Sequence, residues 1–170
     1  KYILYTRQMI ARFNKTRHAF GKLGELELLP LLESYLGEKF TPTERSNDMM
    51  DAYSANYYVE IKTRSSTVHW SNPKIQEQGC LMPACKIQRA REETAKGKKV
   101  SFFYFWKCDG SVWELPWSEE VVEGLEPFVP FWHPEKQLHY TIPIERWFAI
   151  EYVIPPQITQ QEVYSLAIKG

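Results

Sequence analysis

The chain has 170 residues, enough for one domain with a real core, and Lys plus Arg balance Asp plus Glu at 21 each. Zero net charge excludes attraction to nucleic acid or membrane by bulk charge, so such contacts must come from local clusters. The 44% hydrophobic and 25% charged fractions are those of an ordinary globular domain, no apolar run reaches membrane-spanning length, and the 15% aromatic content favours a β-rich fold.

Cys80, Cys85 and Cys108 are odd in number and lack zinc-finger spacing, which points to reduced thiols in a cytoplasmic protein. The N-terminus has no apolar signal-peptide run, and a first residue other than Met implies that residues precede Lys1.

The first 22 residues hold Lys1, Arg7, Arg12, Lys15, Arg17 and Lys22 with no acid before Glu25, and Met9, Ile10 and Phe13 recur at helical spacing. The pattern predicts a basic amphipathic helix. It is either a solvated face or an arm whose Arg7, Arg12, Lys15 and Arg17 touch phosphates. A second helix is expected over residues 22–37, with Gly37 as its stop. On a helical wheel Leu29, Leu32 and Leu36 fall within about 40° of Glu25, while Glu27 lies about 200° away on the wet face. A carboxylate on the apolar seam must be paired, hold a metal, or cap the first turn. Pro30 either kinks this helix or opens a new one.

Residues 43–47 read as a polar loop, and a β-hairpin follows over 48–64. In its second strand Val59 and Ile61 point to one face, and Glu60 and Lys62 to the other. A two-residue loop at Ala55-Asn56 pairs Tyr53 with Tyr58, Ala52 with Val59 and Asp51 with Glu60. Two carboxylates then stand opposite each other, which repels unless a divalent cation offsets it. Asp48 is a rival to Asp51. Residues 65–83 read as irregular with a short helix at 73–78. Residues 84–96 read as a helix between Pro83 and Gly97, with Ala84, Ile87, Ala90 and Thr94 inward and Lys86, Arg89 and Lys96 outward or flanking. A hairpin turning at Asp109-Gly110 joins strands 100–107 and 111–115. Strands at 139–144 and 148–154 and a closing helix at 160–168 complete the pattern. The element order predicts an α/β or α+β fold, a mixed central sheet flanked by helices.

Asp51 and Glu60 offer hard oxygen ligands for Mg²⁺ or Mn²⁺, with the Ile61 carbonyl between Glu60 and Lys62 as a further ligand and Glu25 in the outer shell. Such an ion polarises a phosphoryl oxygen and acidifies a bound water, and Lys62 beside it can orient that water or stabilise developing charge.

Asp51 followed on the next strand by Glu60-Ile61-Lys62 resembles the PD-(D/E)XK nuclease superfamily, which includes restriction endonucleases and Holliday-junction resolvases. Gly21 to Glu25 resembles that family's opening Gly-xxx-Glu helix. Gln88 resembles a glutamine that some members carry on the helix after the catalytic strand. The Pro that the family places before Asp is Met50 here. The resemblance covers the element order of about residues 20–107, leaving 108–170 as a β-rich extension of a single domain. It implies a restriction-endonuclease-like core and a Mg²⁺- or Mn²⁺-dependent DNA endonuclease with Asp51, Glu60, Lys62, Glu25 and Gln88 as catalytic residues. Arg64, Lys86 and Arg89 join the N-terminal arm as phosphate contacts to a double-stranded substrate. Cutting both strands implies two sites, hence a homodimer. The rival expectation is a non-catalytic nucleic-acid or protein-binding module on the same fold.

Overall fold

A computed structural model describes residues 7–43, 50–64, 79–107, 110–130 and 136–153, with side chains from residue 19 to residue 150. Its elements in chain order are α1 (Arg7–Leu36), β1 (Thr41–Pro42), β2 (Ala52–Tyr53), β3 (Tyr57–Arg64), β4 (Cys80–Pro83), α2 (Ala84–Ala95), β5 (Lys99–Trp106), β6 (Ser111–Pro116), β7 (His139–Ile142) and β8 (Phe148–Val153). This is a mixed α/β arrangement with, among the described residues, two α-helices and a mixed central sheet.

The two expected N-terminal helices are one continuous helix of 30 residues, with Pro30 inside it. Pro30 removes the N–H that would bond Leu26, but Leu26 and Pro30 both lie on the exposed side, where water can satisfy the freed carbonyl. Gly37 ends α1 as expected: its φ is 72° and its N–H donates to the Glu33 carbonyl at 3.0 Å.

The six-stranded sheet runs β1-β2-β3-β5-β6-β8. Within it β3 and β5 are parallel, joined by the crossover that contains α2, and the other pairs are antiparallel. Each face of β3 meets a different layer. Val59 and Ile61 join Phe103, Phe105 and Val112 under Leu28, Leu29 and Leu32 of α1. Phe102, Tyr104 and Trp106 face the other way, against Ile87 and Ala90 of α2 and Met82 and Ile142 of the second sheet. That second sheet pairs β4 with β7, so residues 80–83, expected to be irregular, form a strand. Period-two burial was hidden there because Cys80 and Met82 are short of flanking pattern, and Pro83 reads as punctuation. The expected short helix at 73–78, residues 44–47 of the expected polar loop, the rival ligand Asp48, the closing helix at 160–168 and the Asp109 turn position lie outside the described residues.

Two expectations for helix faces are corrected. Glu27 is not on a wet face: it pairs with Lys107, and their side chains are only 14% and 7% exposed. A wheel drawn around Glu25 cannot show that the end of β5 delivers an ammonium to the far flank. In α2 the inward side carries Glu93 rather than Thr94; Glu93 is buried and meets Arg89 at 3.1 Å and Lys96 at 2.8 Å. Paired in this way, a buried carboxylate is tolerated where a lone one is not.

Gly24 sets how closely α1 lies on β3. A Cβ there would stand 2.1 Å from Thr63 Oγ1 and 2.8 Å from Thr63 Cβ. Thr63 is β-branched and stiff, so its side chain cannot swing away freely. In an open helix Gly→Ala stabilises by about 1 kcal/mol. Here the overlap wins, and Gly24→Ala is expected to destabilise by roughly 1–3 kcal/mol, read as a lower urea midpoint.

Candidate functional site

The hairpin that carries the candidate site has the expected register at two pairs, while the expected Asp51–Glu60 pair does not form in the ladder, because the Asp51 N–H bonds Val59. Ala52 pairs with Val59 and Tyr53 with Tyr58, and the Ser54 N–H donates to the Tyr57 carbonyl at 2.9 Å. Ala55 and Asn56 therefore form the two-residue turn. Glu38, just past the end of α1, holds that turn by accepting hydrogen bonds from the Ser54 hydroxyl and from Asn56. Tyr53 and Tyr58 stack with ring centroids 5.9 Å apart on the face that also carries Asp51, Glu60, Lys62 and Arg64.

At Asp51 the ladder changes. Its N–H donates to the Val59 carbonyl at 2.9 Å, and its carboxylate Oδ2 accepts the Ile61 N–H at 2.6 Å. The Asp51 side chain thus takes over a strand hydrogen bond and is anchored by it. The Ile61 side chain points away, 4% exposed, into the α1 layer. The Asp51 carboxyl lies close enough to Glu60 for its charge to act on it.

Glu60 is the strongly perturbed group. Burial, and then the Asp51 charge, push its carboxyl pKa up to about 8, although Lys86 opposes the rise. The Lys86 Nζ donates to Glu60 Oε2 at 2.7 Å, with side-chain exposures of 18% and 12%. Lys62 follows on the same face. Loss of hydration, and then the Arg64 cation, lower the pKa of its ammonium, while Glu60 acts the other way. The Lys62 side chain as a whole is exposed, so water screens these effects. Arg64 is held over the Tyr104 ring at 5.2 Å from the centroid, and its Nη2 donates to the Tyr104 hydroxyl at 3.3 Å. That hydroxyl donates to the Leu81 carbonyl at 3.1 Å, so the clamp ties β3 and β5 to β4.

Some expected site residues are brought together and others are not. Asp51, Glu60 and Lys62 share one patch. Glu25 does not join them: α1 covers the opposite face of β3, and Glu25 pairs with Lys22 at 2.8 Å. Among the described residues no three His, Cys, Asp or Glu side chains gather at metal-binding spacing. Gln88 is exposed and reaches Glu92 on its own helix at 3.4 Å.

The expected phosphate contacts are also redistributed. Lys86 turns inward to Glu60 instead of outward, Arg64 is clamped by Tyr104, and Arg89 meets Glu93 and lies 5.9 Å from the Tyr58 ring centroid. The backbone of Arg7, Arg12, Lys15 and Arg17 is helical, and their side chains lie outside the described set. The pairing of Lys86 with Glu60 was not readable in the chain. Its only sequence signal is that Lys86 directly precedes Ile87, whose full burial anchors α2 to the sheet.

No family model, curated protein or solved structure matches this chain significantly. Among the described residues, no helix is long and apolar enough to cross a membrane.

The raised Glu60 pKa has a consequence for stability. A folded carboxyl titrating above its unfolded value of 4.5 binds more protons in the folded state, so its stabilising contribution is complete below about 4.5 and is lost as pH rises to about 8. The expected decline is at most about 1.4 kcal/mol per pH unit across that window. Urea unfolding from pH 5 to pH 8 checks it: the slope should flatten in Glu60→Gln.

Proposed function

We propose that the protein is a metal-dependent nuclease that hydrolyses DNA phosphodiester bonds at Asp51, Glu60 and Lys62, on a core of the restriction-endonuclease-like kind. The observation that carries the proposal is the Asp51 carboxylate, held by the Ile61 N–H beside Glu60 and close enough for its charge to raise the Glu60 pKa, with Lys62 next along β3 on the face of Glu60. The parallel β3–β5 pair spanned by α2, and the antiparallel β2–β3 hairpin, agree with such a core in element order.

The donor set fits Mg²⁺ or Mn²⁺. Two hard oxygen groups lie close together, and burial and Asp51 disfavour the Glu60 anion, which a dication would stabilise. Asp51 and Glu60 would hold the ion, which supplies Lewis-acid polarisation of a phosphoryl oxygen and a more acidic bound water. The chain's own groups do the rest. The Ile61 N–H fixes the Asp51 carboxylate. Lys62, with an ammonium more easily deprotonated than usual, is placed to accept a proton from an attacking water or to donate one to the leaving oxygen. Arg64, pinned by Tyr104, presents a positive charge beside Lys62 where a phosphate would lie. Glu25 and Gln88 have no part in this scheme. Cutting both strands of a duplex would take two copies of the site, as in a symmetric dimer.

A second reading, a non-catalytic binding module on the same fold, draws support from the inward engagement of Arg64, Lys86 and Arg89. Incubation of supercoiled plasmid and linear duplex with Mg²⁺ or Mn²⁺ separates the two. Nicking or cutting is expected, and Glu60→Ala and Lys62→Ala should each lower its rate by about 10²-fold or more. Undiminished cleavage by Glu60→Ala would sink the nuclease proposal. Absence of cleavage, together with no carboxylate-dependent heat of Mn²⁺ binding, would favour the binding module.

A further inference from the structure

Lys86 stands where a metal would compete with it. Its ammonium lies 2.7 Å from Glu60 Oε2. One Asp51 oxygen is already committed to the Ile61 N–H. A cation that takes both Glu60 oxygens must therefore share or displace the Oε2 that Lys86 holds. Lys86 is anchored by the turn of helix that carries it. Its neighbour Ile87 is fully buried in the core, and a four-carbon stem carries the ammonium from the first turn of α2.

The local charge shows where the released ammonium would go. Lys86 contacts Glu60, Lys62 lies near both carboxyls, and Arg64 lies beside Lys62. A dication added to that patch leaves an excess of about three positive charges when both carboxylates are ionised, which only an anionic ligand neutralises. A phosphate of the substrate backbone has the required charge, and a lysine head serves it as a point donor.

We propose that Lys86 is a built-in cation that occupies the Glu60 carboxylate until a metal displaces it, and then contacts the substrate phosphate. This rests on the metal-site reading above. It makes Lys86 a positioning residue before metal binding and a substrate contact afterwards, a role distinct from that of a surface phosphate anchor. Arginine at this position would grip the carboxylate with a two-pronged fork and be harder to displace.

Calorimetry with Mn²⁺ alone tests the first half. Lys86→Met should bind Mn²⁺ about tenfold more tightly than the wild type, Lys86→Arg more weakly, and Glu60→Gln hardly at all. Equal or weaker affinity in Lys86→Met overturns the proposal, as does equal or tighter affinity in Lys86→Arg, which keeps the test usable if the methionine variant folds poorly. If neither the wild type nor Lys86→Met binds Mn²⁺, the metal-site reading itself falls and takes the role of Lys86 with it. Duplex binding with and without Ca²⁺, an ion of the same oxygen preference, tests the second half. Ca²⁺ should raise wild-type affinity, and Lys86→Met should lose part of that gain. Equal weakening by Lys86→Met in both conditions would make Lys86 an ordinary phosphate contact and overturn the proposal.

Discussion

The structure turns on two carboxyls held close together, Asp51 just before β2 and Glu60 on β3, a strand buried on one face and partly walled on the other. Asp51 and Glu60 meet because β2 and β3 are tied by a two-residue turn, and β3 cannot slide without moving Val59 and Ile61 out of the α1 layer. Such a pair is unfavourable by itself, through repulsion and through lost hydration. The surrounding groups answer both costs. The Ile61 N–H takes an Asp51 oxygen, Lys86 takes a Glu60 oxygen, and Lys62 adds a second favourable charge.

Holding that strand still is the work of the layers on each side. α1 can lie close on β3 because Gly24 leaves room for Thr63, and Leu28, Leu29 and Leu32 then close over the hydrophobic face. On the opposite side α2 and the β4–β7 sheet press on Phe102, Tyr104 and Trp106, the β5 residues next to Glu60, Lys62 and Arg64. The charged half of β3 is thus partly walled by aromatic side chains. That wall is why burial leads the causes of the Glu60 shift. A surface hairpin with the same residues would show ordinary solvated charges.

The cations deserve comparison with the zero net charge. A chain with no bulk excess of positive charge can still assemble a locally positive patch, and Lys62, Arg64 and Lys86 do so around the carboxyl pair. Their engagement inside the fold separates them from the solvated lysines of a general nucleic-acid surface. A ligand at this patch must exchange with existing partners, so affinity there depends on what is displaced as much as on what is formed.

Local sequence rules carried a good part of this. Period two in Val59 to Lys62, the short turn after Ser54, and the glycines at 37 and 97 determined the hairpin register, the polar face of β3 and the ends of both helices, because each depends on neighbours in the chain. Gly24 drew notice only as part of a Gly-xxx-Glu pattern, and the reason for it is a strand distant in sequence. The periodicity also placed Leu29, Leu32, Ile87 and Ala90 on the buried faces of their helices, but the β4–β7 pairing, the side of the sheet on which Glu25 lies, and the partners of Glu27, Glu60 and Glu93 were decided by tertiary structure alone. Each requires knowing which distant ammonium, ring or strand arrives beside a residue. A helical wheel or an alternating strand names a direction, but packing decides what stands in it.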